Sequence, residues 1–145
     1  MATTSSVATI AAELRIAIAR TARRLRQESG LDLTSTQVAA LSVLERNGPH
    51  TPSELAAHER IQRPTATRLI ARLERRGLVV RTRDPHDGRV SVIALTDEGR
   101  RLVVEQRGRK TAFLARRIEQ LEPEERELLE RAALLLERML DEDRP

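Results

Sequence analysis

Residues 51–77 read TPSELAAHERIQRPTATRLIARLERRG, and two helix signatures lie end to end in them. Thr51 is placed to cap a helix, Pro52 takes its first position, where a missing N–H costs nothing, and Glu54 is placed to close a capping box. The spacing predicts a short helix over 52–58. Glu59-Arg60-Ile61 is then a tight turn, and a second helix is expected over 63–76. Pro64 falls in its first turn, and Gly77 stands just past its last apolar position. Ala66, Leu69, Ile70 and Leu73 recur on one face. Two short helices joined by so brief a turn fit a helix-turn-helix.

Beyond Gly77 the apolar period changes from about 3.6 to 2. Leu78 to Arg83 reads as one strand and Val90 to Leu95 as a second, with turn chemistry from Asp84 to Arg89 between them. A hairpin directly after a helix-turn-helix fits a wing. Thr96 is placed to cap a further helix, with Asp97 and Glu98 favouring its dipole, and that helix is expected to reach Gln120. Its middle, Glu105 to Thr111, is nearly all polar and includes Gly108, as in a long helix that bridges two packed regions. Leu121-Glu122-Pro123-Glu124-Glu125 restarts a last helix.

Upstream, Val7, Ile10, Leu14, Ile18 and Leu25 make one face of a helix that Gly30 ends. Thr34 with Gln37 forms a capping box, Val38, Leu41 and Leu44 follow at helical spacing, and Asn47-Gly48-Pro49 stops that helix. The fold class is therefore mainly α with a small β-hairpin wing. A winged helix-turn-helix DNA-binding lobe is expected over 34–97. It lies between an N-terminal dimerisation helix over 1–33 and a linker helix plus C-terminal dimerisation helix over 98–145.

Composition removes several classes. The 145 residues contain no Cys, Trp or Tyr, and Phe113 is the one aromatic residue. There is thus no disulfide framework, Cys-ligated zinc finger, thiol switch or cysteine nucleophile, and no aromatic platform for stacking single-stranded bases. The longest apolar run, Ala132 to Leu136, is far short of the ~20 residues a membrane span needs. Residues 1–6 lack the basic flank and apolar run of a secretory leader, so a cytoplasmic protein without membrane association is expected. Charge is segregated. From Arg60 to Arg89 nine arginines face three carboxylates, whereas from Glu119 to Pro145 ten carboxylates face four arginines. The middle attracts polyanions and the tail repels them.

In a helix-turn-helix the second helix enters the major groove of duplex DNA. The residues opposite the apolar face are Gln62, Arg63, Pro64, Thr65, Thr67, Arg68 and Arg72. Arg forks onto guanine, Gln suits adenine, and Thr meets a base edge or a thymine methyl. Arginines on an exposed helix are often only solvated. Here the charge segregation, the capped helix before and the hairpin after favour DNA contact. At the wing tip Arg89 is placed to enter the minor groove, with Asp87 holding its guanidinium, and Arg81 and Arg83 to meet phosphates on either side.

The run from Arg68 to Val79, then Arg81, then Asp84-Pro85-His86-Asp87-Gly88-Arg89, then Leu95-Thr96-Asp97-Glu98-Gly99-Arg100, resembles the MarR family of bacterial transcriptional regulators. The Asp-x-Arg of the wing and the Leu-Thr-x-x-Gly opening the next helix recur in that family, the wing block is the most specific part of the resemblance, and Leu55-Ala56 also matches. The resemblance covers essentially the whole chain. It implies a winged-helix lobe and a homodimer built from the terminal helices. By position it puts Arg63, Thr65, Thr67 and Arg68 at the major groove and Arg89 at the minor groove. It also implies an effector crevice between the DNA lobe and the dimerisation helices, although this chain has few aromatic residues to line one. Two positions depart from the family: Arg60 where many members have a small residue or glycine, and Gln62 where many have a serine or similar cap. Family members that sense oxidants through cysteine are no guide here.

The dimer also follows from the residues. Val7, Ile10 and Leu14 on the first helix, and Leu128, Leu129, Leu135, Leu136, Met139 and Leu140 on the last, form stripes that a chain this short lacks a second layer to cover. A twofold dimer spaces two recognition helices about 34 Å apart and favours a palindromic operator. The expected function is a dimeric sequence-specific regulator, acting as a repressor that a small-molecule effector releases. The alternatives are a sequence-tolerant architectural DNA-binding protein and a helical protein–protein adaptor. No enzyme is expected, since neither a nucleophile elbow nor a phosphate-cradling glycine motif is present. No cofactor or metal is expected either: His58 beside Glu59, and His86 between Asp84 and Asp87, read as ordinary surface and turn groups.

Overall fold

The computed structural model describes residues 6–141. The leader reading at residues 1–5 and the end of the acidic tail at 142–145 lie outside the described residues. The elements run α1 (Val7–Ser29), α2 (Ser35–Asn47), α3 (Pro52–His58), α4 (Arg63–Arg75), β1 (Val79–Arg83), β2 (Ser91–Leu95), α5 (Asp97–Ile118) and α6 (Pro123–Asp141). The chain is mainly α with one antiparallel hairpin, as the sequence predicts. It divides into two compact units, 1–110 and 111–145.

Local chemistry sets most of these boundaries. Ser6 caps α1, and Gly30, in the left-handed region at φ 66°, ends it. At α2 the capping box closes in both directions: Thr34 Oγ1 accepts from Gln37 N–H and Gln37 Oε1 accepts from Thr34 N–H. At α3 only half of it forms. Thr51 Oγ1 accepts from Glu54 N–H at 3.1 Å, but the Glu54 carboxylate does not return a bond, so that expectation is corrected. That carboxylate is exposed, where water competes with the closing bond. After α4, Gly77 N–H donates to the Glu74 carbonyl and Leu78 N–H to that of Leu73, turning the chain into the hairpin.

The first unit holds one core. Leu41 and Leu44 of α2, Leu55 of α3, Ile70 and Leu73 of α4 and Ile93 of β2 are fully buried together, with Val103 of α5 packed on the same cluster. The hairpin pairs Val79 with Leu95 through to Arg83 with Ser91. A bridge not foreseen from the sequence ties its outer edge to the loop before α3. His50 and Ile93 exchange both backbone hydrogen bonds, at 3.1 and 2.7 Å. The wing is thus anchored to the body along the edge of β2 opposite β1.

The junction of hairpin and α5 is tighter still. Thr96 Oγ1 donates to the Gly77 carbonyl at 2.7 Å and accepts from Gly99 N–H at 3.0 Å. Gly99 lies so close to the Leu78 carbonyl oxygen that a Cβ would collide with it. The Leu-Thr-x-x-Gly signature therefore has a packing reason. Farther along, Arg107 pairs with Glu45 of α2 at 2.7 Å, and Arg109 donates to the Ser29 carbonyl.

In the second unit α5 stops at Ile118 rather than Gln120. The last turn tightens, with Gln120 and Leu121 N–H donating three residues back. Arg126 then donates to the carbonyls of Ile118, Glu119 and Leu121. No residue of α6 is buried, and Leu128, Leu134, Met139 and Leu140 are all exposed. Among the described residues no helix is long and apolar enough to cross a membrane.

Candidate nucleic-acid interface

The second helix of the helix-turn-helix is α4, and its two faces separate cleanly. Ala66, Leu69, Ile70 and Leu73 are buried in the core. Gln62, Arg63, Pro64, Thr65, Thr67, Arg68 and Arg72 are all exposed. Burial of the apolar face fixes the helix rotation, and that rotation alone turns the polar set outward as one surface.

The side chains of that surface differ in freedom. Arg63 Nη2 donates to Ser53 Oγ of α3 at 2.9 Å, which holds the guanidinium across the mouth of the turn. Thr67 Oγ1 donates to the Arg63 carbonyl. The guanidinium groups of Arg68 and Arg72 make no hydrogen bond or ion pair with another described residue, so both are available to a ligand. Thr65 and the Gln62 side chain are likewise free, since Gln62 occupies the N-cap of α4 without capping it. Arg76, by contrast, donates to the Asp32 carbonyl at 2.6 Å and serves the body of the lobe.

The turn before α4 is where the backbone is unusual. Arg60 has φ 52°, the one non-glycine residue in the left-handed region among the described residues. The two positions at which the sequence departs from the family it resembles are thus the ones with a local cost: a strained Arg60 and an uncapped helix start at Gln62.

At the wing, Asp84 Oδ1 accepts from the N–H groups of His86 and Asp87, at 2.7 and 3.2 Å. Those two bonds, with His86 nearby, hold the Asp84 carboxyl below its ordinary value. Asp87 Oδ1 accepts from both the backbone N–H and the Nε of Arg89, at 3.1 and 3.2 Å. The Arg89 side chain is 92% exposed, so this one carboxylate oxygen orients it from its base while its outer nitrogens face solvent. Arg81 pairs with Glu74 of α4 at 3.0 Å, and Arg83 donates to the Gly88 carbonyl across the hairpin. Both are exposed, and both brace the wing as well as charge it.

Sequence reasoning passed over Ser53, His50 and the conformation of Arg60. The contact of Ser53 with a residue ten positions on has no periodic signature, and the His50 bridge depends on tertiary packing. Only Arg60 carried a signal, as a bulky residue in a tight turn. Among the described residues no group of three His, Asp or Glu is arranged to hold a metal. His58 lies 3.8 Å from Glu59, and Asp84 is engaged by backbone.

Comparison with known proteins bears on this surface. The model of the MarR family matches residues 33–91. An HTH-type transcriptional regulator of Mycobacterium tuberculosis is 36% identical over 138 residues, covering 94% of this chain and 96% of that protein. The solved structure of a MarR family protein from Bacillus stearothermophilus aligns with a TM-score of 0.81 at 32% identity, covering 93% of this chain and 95% of that one. The HTH-type transcriptional repressor MdtR of Bacillus subtilis is 32% identical over 93 residues, which is 64% of this chain and 60% of that protein.

Proposed function

Since this chain belongs to the MarR family, whose members are DNA-binding transcriptional regulators and not enzymes, we propose that it is a cytoplasmic homodimer that occupies a palindromic operator, represses transcription and is released by a small-molecule effector. The observation that carries this reading is the outward surface of α4. Seven exposed residues, two of them free arginines, stand over a fully buried apolar face. Arg68 and Arg72 would read or grip the major groove, and Arg89, held by Asp87, would enter the minor groove. The kinship with a named repressor supports repression as the mode of action.

Support for the dimer comes from the terminal helices. Val7 is 84% and Leu140 67% exposed, and Ile10, Leu128, Leu129, Leu135 and Met139 are exposed with them. Leu14 and Leu136 are half-buried. Apolar stripes of this extent mark an interaction surface, and a second copy of the same stripes is the simplest partner. Support for an effector comes from a cleft of about 310 Å³ between α1 and α2. A ligand there would act only through different affinity for two spacings of the DNA lobes.

The decisive test is selection of bound duplexes from a random pool at about 150 mM salt, with oligomeric state measured in parallel. Recovery of a palindrome with half-sites one helical turn apart is the expected result. Unenriched DNA would instead show a sequence-tolerant architectural protein. No DNA at all, from protein unfolded and refolded to strip any bound ligand, would show a helical adaptor.

A further inference from the structure

Twenty-five of the 26 basic side chains are arginine, and the exception, Lys110, occupies a particular place. It lines the cleft of about 310 Å³ whose other walls come from α1, α2 and the segment between them. Those walls are largely aliphatic, with Leu25, Leu33 and Val38 among them. No carboxylate and no aromatic ring lines the cleft, and among the described ion pairs none involves Lys110. A second cation, Arg26 of α1, lines the same cleft from another wall.

Lys110 is half-buried, so its ammonium is only partly hydrated. Exposed lysines stay protonated because water and carboxylates stabilise the charge. Here burial, and then the repulsion of Arg26, hold the Lys110 ammonium below its ordinary value. Desolvation in an apolar pocket beside another cation is the setting that turns a lysine into a carbonyl-directed nucleophile. Arginine at this position would supply charge and no such chemistry.

We propose that Lys110 captures small aliphatic aldehydes as an imine within the cleft. The Nζ lone pair attacks the carbonyl carbon, forming a C–N bond. The resulting carbinolamine loses its hydroxyl as water, with both amine hydrogens leaving the nitrogen, to give C=N. Nothing is oxidised or reduced, and no further reactant is needed. The aliphatic walls receive the alkyl chain. The absence of aromatic lining favours a linear chain over a ring. Because the same cleft serves the effector reading, a role in DNA release rests on that reading, whereas the capture chemistry does not.

The test uses the full chain, octanal and cyanoborohydride, which reduces an imine to a stable secondary amine. The expected result is a single adduct that saturates with octanal, maps to Lys110 by peptide mass and forms faster there than at the chain's α-amine. Lys110→Arg should lose it. Modification of Lys110 that rises linearly with octanal and no faster than that of the α-amine would overturn the proposal. So would tight, reversible binding of octanoate in the cleft with no adduct from octanal, which would make it a carboxylate site. A second readout is operator binding: octanal should weaken it in the wild type and not in Lys110→Arg, the two being equal without aldehyde. If trapping succeeds and no state of the protein binds DNA, the regulator reading fails while the capture site stands.

Discussion

Arg60 shows how much a single residue can hold against its own backbone. At φ 52° its Cβ crowds the following carbonyl, a cost of roughly 1–2 kcal/mol that glycine does not bear. Arg60→Gly is expected to raise stability by about 1 kcal/mol, seen as a higher denaturation midpoint at unchanged slope. Arg60→Ala should bring no such gain, because it keeps the Cβ. Gly99 is the opposite case. A methyl there meets the Leu78 carbonyl and the Leu95 side chain, so Gly99→Ala should destabilise by about 1–3 kcal/mol. At the DNA face the expected pattern is positional. Arg68→Ala should cost about 1–3 kcal/mol and relax preference at one base pair. Arg89→Ala should weaken all sites alike, and Asp87→Ala, which only unties Arg89, should do so less. Operator titrations on matched and mismatched duplexes check all three.

Among the elements, two joints lend themselves to measurement. Thr34→Ala removes the cap of α2 and deprives the buried Gln37 of the bond that completes the box, so a loss of about 1 kcal/mol is expected in thermal unfolding. The α2–α5 contact is expected to depend on pH. The hydrogen bond from Arg107 holds the Glu45 carboxyl below its ordinary value. A depressed acid stabilises the fold above its unfolded value and loses that contribution as pH falls through the folded one. The stability difference between the wild type and Glu45→Gln should therefore be present at neutral pH and vanish in acid. Most elements were legible because their signals are local: caps at Thr34, Thr51 and Thr96, terminators at Gly30 and Gly77, and the change of period at Leu78. The exposed face of α4 was legible for the same reason, since one apolar stripe fixes it. What the sequence could not carry was the use of long side chains. Arg63 reaching Ser53, Arg81 reaching Glu74 and Arg126 rounding the α5–α6 corner are choices among many rotamers, decided by neighbours distant in the chain. The failure of Glu54 to close its box belongs with these, because an exposed carboxylate finds water as good a partner.

For the whole molecule, oligomeric state and affinity are expected to move together. Leu128→Glu combined with Leu135→Glu places charge on the exposed stripe of α6, leaving the first unit untouched. Sedimentation should then show a monomer, and operator affinity should fall steeply although every residue of the DNA face is intact. The segregated charge adds to this arrangement. The basic stretch around α4 and the wing is drawn to the duplex, while the acidic stretch after Glu119 favours orientations that keep α6 away from it. Finally, the Thr96 hydroxyl uses its donor on the end of the recognition helix and its acceptor on the start of α5, and Gly99 removes the last gap between them. In mechanical terms these contacts would join α4, the wing and the first turns of α5 into one lever with little backlash. A push on that stretch of α5 would then reach the exposed face of α4 as a change of angle, and on the proposed reading the grip on DNA could change without any rearrangement of those side chains.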